Sequence, residues 1–416
     1  MGRVGADEAA TRPKIVHRVS YSRLWREHSA RVKAAFKEML MSDSVDILYG
    51  YECSYYAGKI RAYLRFKGIP FVEKHPDRKI FSTEIVKKIG FPVIPVIALS
   101  DGRVLQDTSD MIDYYECLFP RRPAIPDSAP EKVVSYWLEL IGDEWLKLPA
   151  LHYRWTYDYD FITAEMGRNN DPSYSVAEQK RIGRKIGAAF HGWLPKLGVT
   201  ARTKKTIEFE YLEFLNLFEN HLAVVPYLLG GIPSLGDFAF YGPLYAHLCR
   251  DPYSHRLMTE HAPKVVEWIE RLSMCNERPR ESYSREDMNR PTFIALVAHL
   301  SKDFVPTLIH EVTLLQCWLR SNRGSSVPRY FGECEFKLGR GTNHVVEEKR
   351  ALMTYPQWML QRVLDAYNSS SEIDKELTFE LFSKLGASAL FELDIKKRLV
   401  RKNYQLVQEN SRLKNQ

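Results

Sequence analysis

A thiol and a hydroxyl stand side by side in the segment YECSYYAGK, which runs from Tyr51 to Lys59. Cys53 and Ser54 follow the apolar run VDIL, which is typical of a buried strand, and precede a stretch with helical spacing. The first turn of a helix has unpaired backbone N–H groups, and the helix dipole favours negative charge there. The spacing therefore predicts an anion-binding turn at Ser54.

Each of these two side chains also has a purely structural interpretation. A serine at the start of a helix is commonly a cap that accepts a backbone N–H bond. Cys53 is either a small buried residue or a second nucleophile, whose pKa the helix start would lower if the thiol were exposed. Both alternatives remain open for both residues at this point.

Short strands and helices follow the turn in a definite order. They are a strand at VDILYG, a helix at AGKIRAYLRFKG, a strand at IPFVEKH, a helix at STEIVKKIG capped by Ser82 or Thr83, a hairpin within FPVIPVIALSDGRVLQD, and a helix at TSDMIDYYECLF that Thr108 can cap. A strand–helix–strand unit followed by a hairpin and a helix predicts a thioredoxin-like α/β domain over residues 44–122.

The rest of the chain reads as mainly helical. The proline-rich stretch RRPAIPDSAP places a linker at residues 123–130. Apolar residues at helical spacing then predict an all-helical domain over residues 131–283. Residues 284–416 are predicted to be a mainly helical extension, with a hairpin within FGECEFKLGRGTNHVVEEKRAL and a basic helical tail. Residues 1–43 are predicted to be a partly helical leader.

Two predicted helices of the extension carry apolar stripes that need a surface to cover them. The stripes are Leu308, Val312, Leu315 and Leu319 in FVPTLIHEVTLLQCWLR, and Trp358, Met359, Val363 and Tyr367 in YPQWMLQRVLDAY. Helices of this length are marginal in isolation. The extension is therefore expected to dock on the helical domain.

Composition excludes several classes of function. No apolar run in the 416 residues approaches the ~20 that a membrane helix needs, so no membrane span is predicted. The net charge of +7, from 59 basic and 52 acidic residues, is too diluted to indicate nucleic acid. The six cysteines lie far apart without zinc-ligand spacing, which predicts free thiols, no metal and a cytoplasmic location.

Four motifs, in order, resemble the glutathione S-transferase family over roughly residues 44–275. LYGYECSYYAGKIRAYL resembles the opening strand, loop and helix of the serine- and cysteine-type members, with Ser54 on their catalytic position. The tripeptide IPV resembles the strand entry that carries the family's cis-proline, here Pro95. QDTSDMIDYYE resembles the acid-then-hydroxyl motif, and PSLGDFAFYGPLYAHL the capping box of the helical domain.

The resemblance implies glutathione as co-substrate, with no metal. Ser54 would donate a hydrogen bond to the glutathione thiolate, while Cys53 is the alternative catalytic residue. The backbone of Ile94, turned by a cis bond to Pro95, would pair with the cysteinyl portion of the tripeptide.

The same resemblance gives roles to the acid-then-hydroxyl pair. Asp107 would bind the γ-glutamyl ammonium, and Thr108 would bind the neighbouring carboxylate. Both residues could instead only cap a helix. Ser234 and Asp237 fit the spacing of a capping box and are assigned to structure alone.

An aromatic stretch, DEWLKLPALHYRWTYDYDF, is the richest candidate for binding an acceptor substrate. The resemblance implies that the first long helix of the second domain faces the thiol site. Trp145, His152, Tyr153 and Trp155 could then line an apolar cleft with polar tips. The alternative is that these side chains belong to the core.

The leading hypothesis is a glutathione transferase-like enzyme that activates the glutathione thiol for addition to a small electrophile held between the two domains. A homodimer is one possible assembly. A non-catalytic protein that uses the same fold for binding or scaffolding is the second hypothesis. The third is glutathione-dependent thiol–disulfide exchange through Cys53, which needs an exposed sulfur.

Overall fold

A computed structural model describes residues 45–274, 283–322 and 326–409. The described residues all belong to one compact unit. The boundaries predicted at residues 122, 130 and 283 all fall inside this unit. The predicted leader, residues 1–43, lies outside the described residues.

The N-terminal part is a four-stranded sheet with helices, as the sequence predicts. The strands are β1 (Asp46–Tyr49), β2 (Phe71–Lys74), β3 (Val96–Ala98) and β4 (Val104–Gln106), and they lie in the order β2-β1-β3-β4. β1 pairs with β2 in parallel, whereas the β1–β3 and β3–β4 pairs are antiparallel. A parallel crossover through a helix followed by an antiparallel hairpin is the predicted thioredoxin-like plan, which is confirmed.

Three helical segments accompany this sheet. They are α1 (Tyr55–Lys67), α2 (Arg78–Ile80, a π-helical turn over Phe81–Val86, and Lys87–Ile89) and α3 (Thr108–Leu118). α1 ends at Gly68, whose φ of 68° is the left-handed conformation of a helix C-cap. Ile85 and Ile89 of α2 pack with Tyr49 and Val96 in the core of the sheet.

The start of α2 differs from the prediction. Asp77 caps it, since the Asp77 carboxylate accepts the N–H of Ile80 at 2.7 Å. The hydroxyls of Ser82 and Thr83, predicted as caps, instead donate back to the Lys79 carbonyl within the helix. The helix therefore begins at least five residues earlier than predicted, because Asp77 precedes Ser82 and Thr83 in the sequence and caps it first.

The middle of the chain is helical. Its helices are α4 (Ala129–Leu140, continued by a π-helical turn over Ile141–Trp145), α5 (Lys147–Tyr157), α6 (Tyr159–Asn170), α7 (Val176–His191), α8 (Lys204–Leu222), α9 (Leu235–Pro243, continued by a π-helical turn over Leu244–Cys249), α10 (Pro252–His261) and α11 (Pro263–Met274). The capping box at the start of α9 is present, with the Asp237 carboxylate accepting the Ser234 N–H at 2.8 Å. Asp237 also accepts the Trp268 indole N–H at 3.0 Å, so the box fixes α11 as well.

α1 is held against the helical body by close packing and by a buried ion pair. A Cβ on Gly242 would lie 2.8 Å from the Tyr55 carbonyl oxygen, so only glycine permits this approach of α9 to α1. Lys59 is fully buried, and its Nζ lies 2.8 Å from Glu139 and 2.5 Å from Asp143. Burial acts to lower the pKa of Lys59, but these two carboxylates outweigh it and raise the pKa.

The extension packs on the helical body through long helices. Its elements are α12 (Arg285–Met288), α13 (Pro291–Ser321), β5 (Tyr330–Leu338), β6 (Val346–Met353), α14 (Tyr355–Asn368), α15 (Glu372–Lys384), β7 (Leu399–Lys402) and β8 (Gln405–Gln408). α13 contacts α8, and both α14 and α15 contact α4. The predicted stripe on α13, Leu308 to Leu319, is buried.

α13 is the one described helix that is long and apolar enough to cross a membrane. Of its most apolar window, 56% is buried inside the protein. This burial is what a core helix of a folded domain shows.

The basic helical tail predicted at the C-terminus is wrong for the described residues. After α15 the chain forms the antiparallel β7–β8 hairpin, in which Lys402 pairs with Gln405. The two turn residues, Asn403 and Tyr404, have φ values of 50° and 65°. Two consecutive positive φ angles make the tight turn that suits the twist of a hairpin, and the asparagine is the local signal for it.

Candidate functional site

The register of the sheet brings three chain segments to one end of it. Tyr49, the last residue of β1, pairs with Val96, the first of β3, and Val96 also pairs with Gln106, the last of β4. The turn after Tyr49, the residues before Val96 and the residues after Gln106 therefore lie side by side. These segments carry Cys53, Ser54, Ile94, Pro95, Asp107 and Thr108.

Ser54 is the N-cap of α1. Its Oγ accepts the N–H of Ala57 at 3.4 Å, so the capping interaction is present. A hydroxyl that accepts one bond can still donate another, and among the described residues the Ser54 O–H has no acceptor. Ser54 is half-buried at the helix N-terminus and therefore retains a donor for an anion.

Cys53 points into the protein. The side chain is 4% exposed, and Asn169 Nδ2 lies 3.9 Å from its sulfur. Burial, and next the charge of Glu165, raise the pKa of the thiol to about 12, against the charges of Arg154 and Arg250. The thiol is therefore neutral at physiological pH, unlike a reactive cysteine.

Arg154 fixes the loop that carries Cys53 and Ser54. Its guanidinium donates to the Cys53 carbonyl at 2.7 Å and pairs with Asp251 at 2.6 Å and 2.7 Å. Both Arg154 and Asp251 are buried. Sequence reasoning missed Arg154, because a single arginine in an aromatic helix has no local signal of its partners.

The Ile94–Pro95 peptide bond is cis, as predicted. Pro95 is buried, and Ile94 is half-buried. Thr108 is 4% exposed at the first position of α3. The contacts of Ile94 and Thr108 with a tripeptide stay predictions.

Asp107 is the N-cap of α3 and has a φ of 83°, a conformation that L side chains rarely adopt. Its Oδ1 accepts the Ser109 N–H at 3.0 Å, and its Oδ2 accepts the Tyr355 O–H at 2.6 Å. A guanidinium nitrogen of Arg401 lies 3.7 Å from the same Oδ2. The carboxylate predicted to bind an ammonium group is therefore already in contact with two residues of the extension.

Tyr355 and Arg401 are the second feature that sequence reasoning missed. Tyr355 lies 248 residues beyond Asp107 in the chain. Arg401 lies in the segment that the sequence assigned to a helical tail. A contact at this sequence distance leaves no trace in local periodicity or spacing, so only the fold reveals it.

The four predicted acceptor residues have different neighbours in the fold. Trp145 stacks on Phe304 of α13 at 5.1 Å between ring centroids, and Tyr153 packs on Tyr211 of α8 at 5.0 Å. Both are buried, as core residues are. Trp145 and Tyr153 therefore belong to the core, because helices α13 and α8 cover them.

His152 and Trp155 lie in two other environments, a buried pair with Glu208 and a stack on α7. His152 is fully buried, with its Nε2 2.8 Å from Glu208, and burial lowers its pKa although Glu208 opposes the shift. Trp155 stacks on Phe190 of α7 at 5.6 Å and lines an open cavity of about 420 Å³ with Tyr159. Trp155 is the one predicted acceptor residue beside this surface cavity, and its substrate contact stays a prediction.

Residues 48–123 match the family model of the glutathione S-transferase N-terminal domain. This part of the chain belongs to the glutathione S-transferase family. The match spans the sheet from Leu48 onward, α1 and α3, and thus every segment at the sheet end that carries the predicted glutathione residues. A glutathione S-transferase domain indicates a glutathione-related function. Comparison with curated proteins gave no match.

Solved glutathione S-transferases are similar to the chain at low identity. One from Rhodospirillum rubrum is 16% identical, with a TM-score of 0.36 over 61% of this chain and 92% of its own. One from Phanerochaete chrysosporium is 15% identical, with a TM-score of 0.40 over 57% and 99%. One from Methylobacterium radiotolerans, solved with glutathione sulfonate, is 17% identical, with a TM-score of 0.34 over 58% and 98%.

Proposed function

We propose that this protein is a glutathione transferase-like enzyme that activates the glutathione thiol and adds it to a small electrophile. The observation that carries the proposal is the Ser54 hydroxyl, which caps α1 and has no acceptor among the described residues. It lies at the same sheet end as the cis Ile94–Pro95 bond and Asp107. A thiolate donor, a peptide edge and a carboxylate are the groups that a γ-glutamyl tripeptide requires.

Ser54 would act by stabilising the thiolate. A thiol has a pKa near 9 in water, so most of it is protonated at neutral pH. A hydrogen bond from Ser54 and the positive end of the α1 dipole favour the ionised sulfur. The thiol proton leaves to solvent, and the sulfur lone pair forms the new bond to the electrophilic atom. As that bond forms, the π bond of the electrophile breaks, and its electron pair takes up a proton from solvent to complete the addition. Cys53 takes no part in this step, because its thiol is buried and neutral.

The test is the rate of conjugation to a generic electrophile in Ser54→Ala. We expect the rate to fall roughly 10- to 1000-fold, the range for loss of one positioned donor, with folding nearly intact. Ser175→Ala is the matched control, because Ser175 also caps a helix, accepting the Glu178 N–H at 3.2 Å, but stands at α7. Equal rates in wild type and Ser54→Ala would reject the role of Ser54.

A non-catalytic binding protein is the second candidate, and the Tyr355–Asp107 hydrogen bond supports it. The Asp107 carboxylate already accepts a hydrogen bond from within the protein, and a carboxylate held in this way can stabilise the fold without taking part in catalysis. Measurable glutathione binding without conjugation of any electrophile tested would favour this candidate. The thiol–disulfide alternative is disfavoured, because Cys53 lacks the exposure that exchange needs.

The five cysteines that the structure describes are all free thiols. Free thiols persist in reducing compartments. They support the cytoplasmic location that we propose from the sequence.

A further inference from the structure

The extension returns to the glutathione S-transferase domain at the end where the γ-glutamyl group would lie. Two of its elements make the contact, the first residue of α14 and the β7–β8 hairpin. Arg401 of β7 pairs with Asp110 at 2.6 Å and donates to the side-chain oxygen of Gln106 at 2.7 Å. Tyr404 donates to the Val104 carbonyl at 3.4 Å. The hairpin thus covers β4 and the residues that lead into Asp107.

Both carboxylate oxygens of Asp107, which a ligand ammonium would need as acceptors, already accept hydrogen bonds within the protein. One carboxylate oxygen accepts the Ser109 N–H, and the other accepts the Tyr355 O–H at 2.6 Å. The Asp107 side chain is 14% exposed, and the Arg401 side chain beside it is 11% exposed. A ligand ammonium at Asp107 would therefore meet a hydrogen-bonded carboxylate and a neighbouring positive charge.

The two contacting side chains are anchored from behind. α14 packs on α4, with Leu360 and Val363 fully buried, so Tyr355 is fixed by a core helix. β7 is tied to α14 by Gln361, whose side chain makes hydrogen bonds of 2.8 Å and 2.9 Å with the Leu399 backbone. Tyr355 and Arg401 are therefore held at Asp107 by the fold of the extension.

We infer that Tyr355 and Arg401 determine which ligands this site accepts, by occupying the γ-glutamyl end of the groove as an internal latch. The inference rests on the proposed function. A thiol ligand that ends before Asp107 binds without disturbing the latch, whereas a γ-glutamyl ligand must displace the Tyr355 O–H from Oδ2 and face Arg401. The extension thereby lowers the affinity for glutathione and leaves that for shorter thiols unchanged.

The test compares glutathione with cysteinylglycine, which lacks the γ-glutamyl group, by calorimetric titration of the full chain. We expect Tyr355→Phe to bind glutathione about 10- to 150-fold more tightly, the worth of one hydrogen bond to a charged group. Arg401→Gln should also bind it more tightly, because a positive charge 3.7 Å from Asp107 is removed. Cysteinylglycine affinity should stay within about twofold, since that ligand does not reach Asp107. A merely structural role for the two residues would move both affinities together.

Two matched variants serve as controls. Arg398→Gln removes an arginine from the same segment, but its partner is Asp365 at 2.6 Å, away from Asp107. Tyr367→Phe removes a hydroxyl from the same helix, at a ring that stacks on Phe391 at 3.8 Å. Neither control should change the affinity for glutathione.

The outcomes separate this inference from the proposed function. If wild type binds glutathione and both variants bind it equally or more weakly, the latch is rejected while the proposed function stands. If wild type and both variants all fail to bind millimolar glutathione, the proposed function is rejected and the latch with it. Tyr355→Phe should raise the affinity for glutathione. If the double variant Tyr355→Phe/Asp107→Asn loses this increase, the γ-glutamyl group binds at Asp107.

Discussion

At the scale of residues, the surroundings of the buried histidine His221 have a consequence for the pH dependence of stability. His221 is fully buried, with Nε2 3.1 Å from the Leu228 carbonyl oxygen and Nδ1 3.1 Å from the Thr292 hydroxyl. A neutral ring that donates through Nε2 and accepts at Nδ1 satisfies both contacts. Burial lowers the pKa of His221 to about 4, although the Leu228 bond opposes the shift.

The depressed pKa of His221 predicts a stability that depends on pH. The unfolded histidine takes up its proton near pH 6.5, whereas the folded one does so only near 4. Between these values the unfolded state binds more protons, so the free energy of unfolding rises with pH. This contribution is present above about pH 6.5 and is lost as the pH falls toward 4, by about 3 kcal/mol at most.

The check is denaturant unfolding of wild type and His221→Gln between about pH 4 and 7. Glutamine does not titrate, so wild type should lose more stability than the variant as the pH falls. Parallel curves for the two proteins would show that His221 does not titrate with folding.

At the scale of elements, the link between α1 and α4 depends on a buried cation. Lys59→Met should lower the free energy of unfolding by about 3–5 kcal/mol, because Glu139 and Asp143 would remain buried without it. Lys88→Met is the matched control, since the Lys88–Glu84 pair is exposed, and it should change stability by less than about 1 kcal/mol. Similar losses in the two variants would contradict the buried role of Lys59.

The elements of the sheet were predictable, whereas their long-range partners were not. The β1–α1 turn, the hairpin around Gly102 and the Ser234–Asp237 box have local signals, and the structure shows all three. The predicted start of α2 was wrong because Asp77 caps the helix before the predicted caps, Ser82 and Thr83, are reached. The prediction of a helical tail in place of the β7–β8 hairpin was wrong because basic residues are compatible with either a helix or a strand.

The same distinction separates the site residues. Ser54, the cis Ile94–Pro95 bond and Asp107 follow from short motifs, and the sheet register brings their segments together. The predicted acceptor residues share one stretch of sequence, with Trp145 at the end of the π-helical turn and the others on α5, but they contact different neighbours. Which side faces a cleft depends on α7, α8 and α13, which pack there from elsewhere in the chain.

At the scale of the whole molecule, the extension behaves as part of the fold. Trp137 of α4 is fully buried and stacks on Phe304 of α13 at 5.5 Å. Arg362 of α14 pairs with Asp113 of α3 at 2.5 Å. The extension thus covers faces of both α3 and α4.

Truncation tests this dependence. A chain ending at residue 283 would expose an apolar surface of more than a few hundred Å² on α4 and α8, and we expect it to be insoluble or much less stable. Thermal unfolding of the truncated and whole chains measures the effect. Equal melting temperatures and full activity would make the extension an independent appendage, and a partner-binding role would then explain it better.

The central claim is that Ser54 stabilises the thiolate of bound glutathione. The most direct measurement is the pH titration of the thiolate ultraviolet absorbance of glutathione bound to wild type and to Ser54→Ala. We predict that wild type lowers the pKa of the bound thiol below its value near 9 in water, and that Ser54→Ala restores it toward that value. The same thiol pKa in both proteins, equal to that of free glutathione, would contradict the claim.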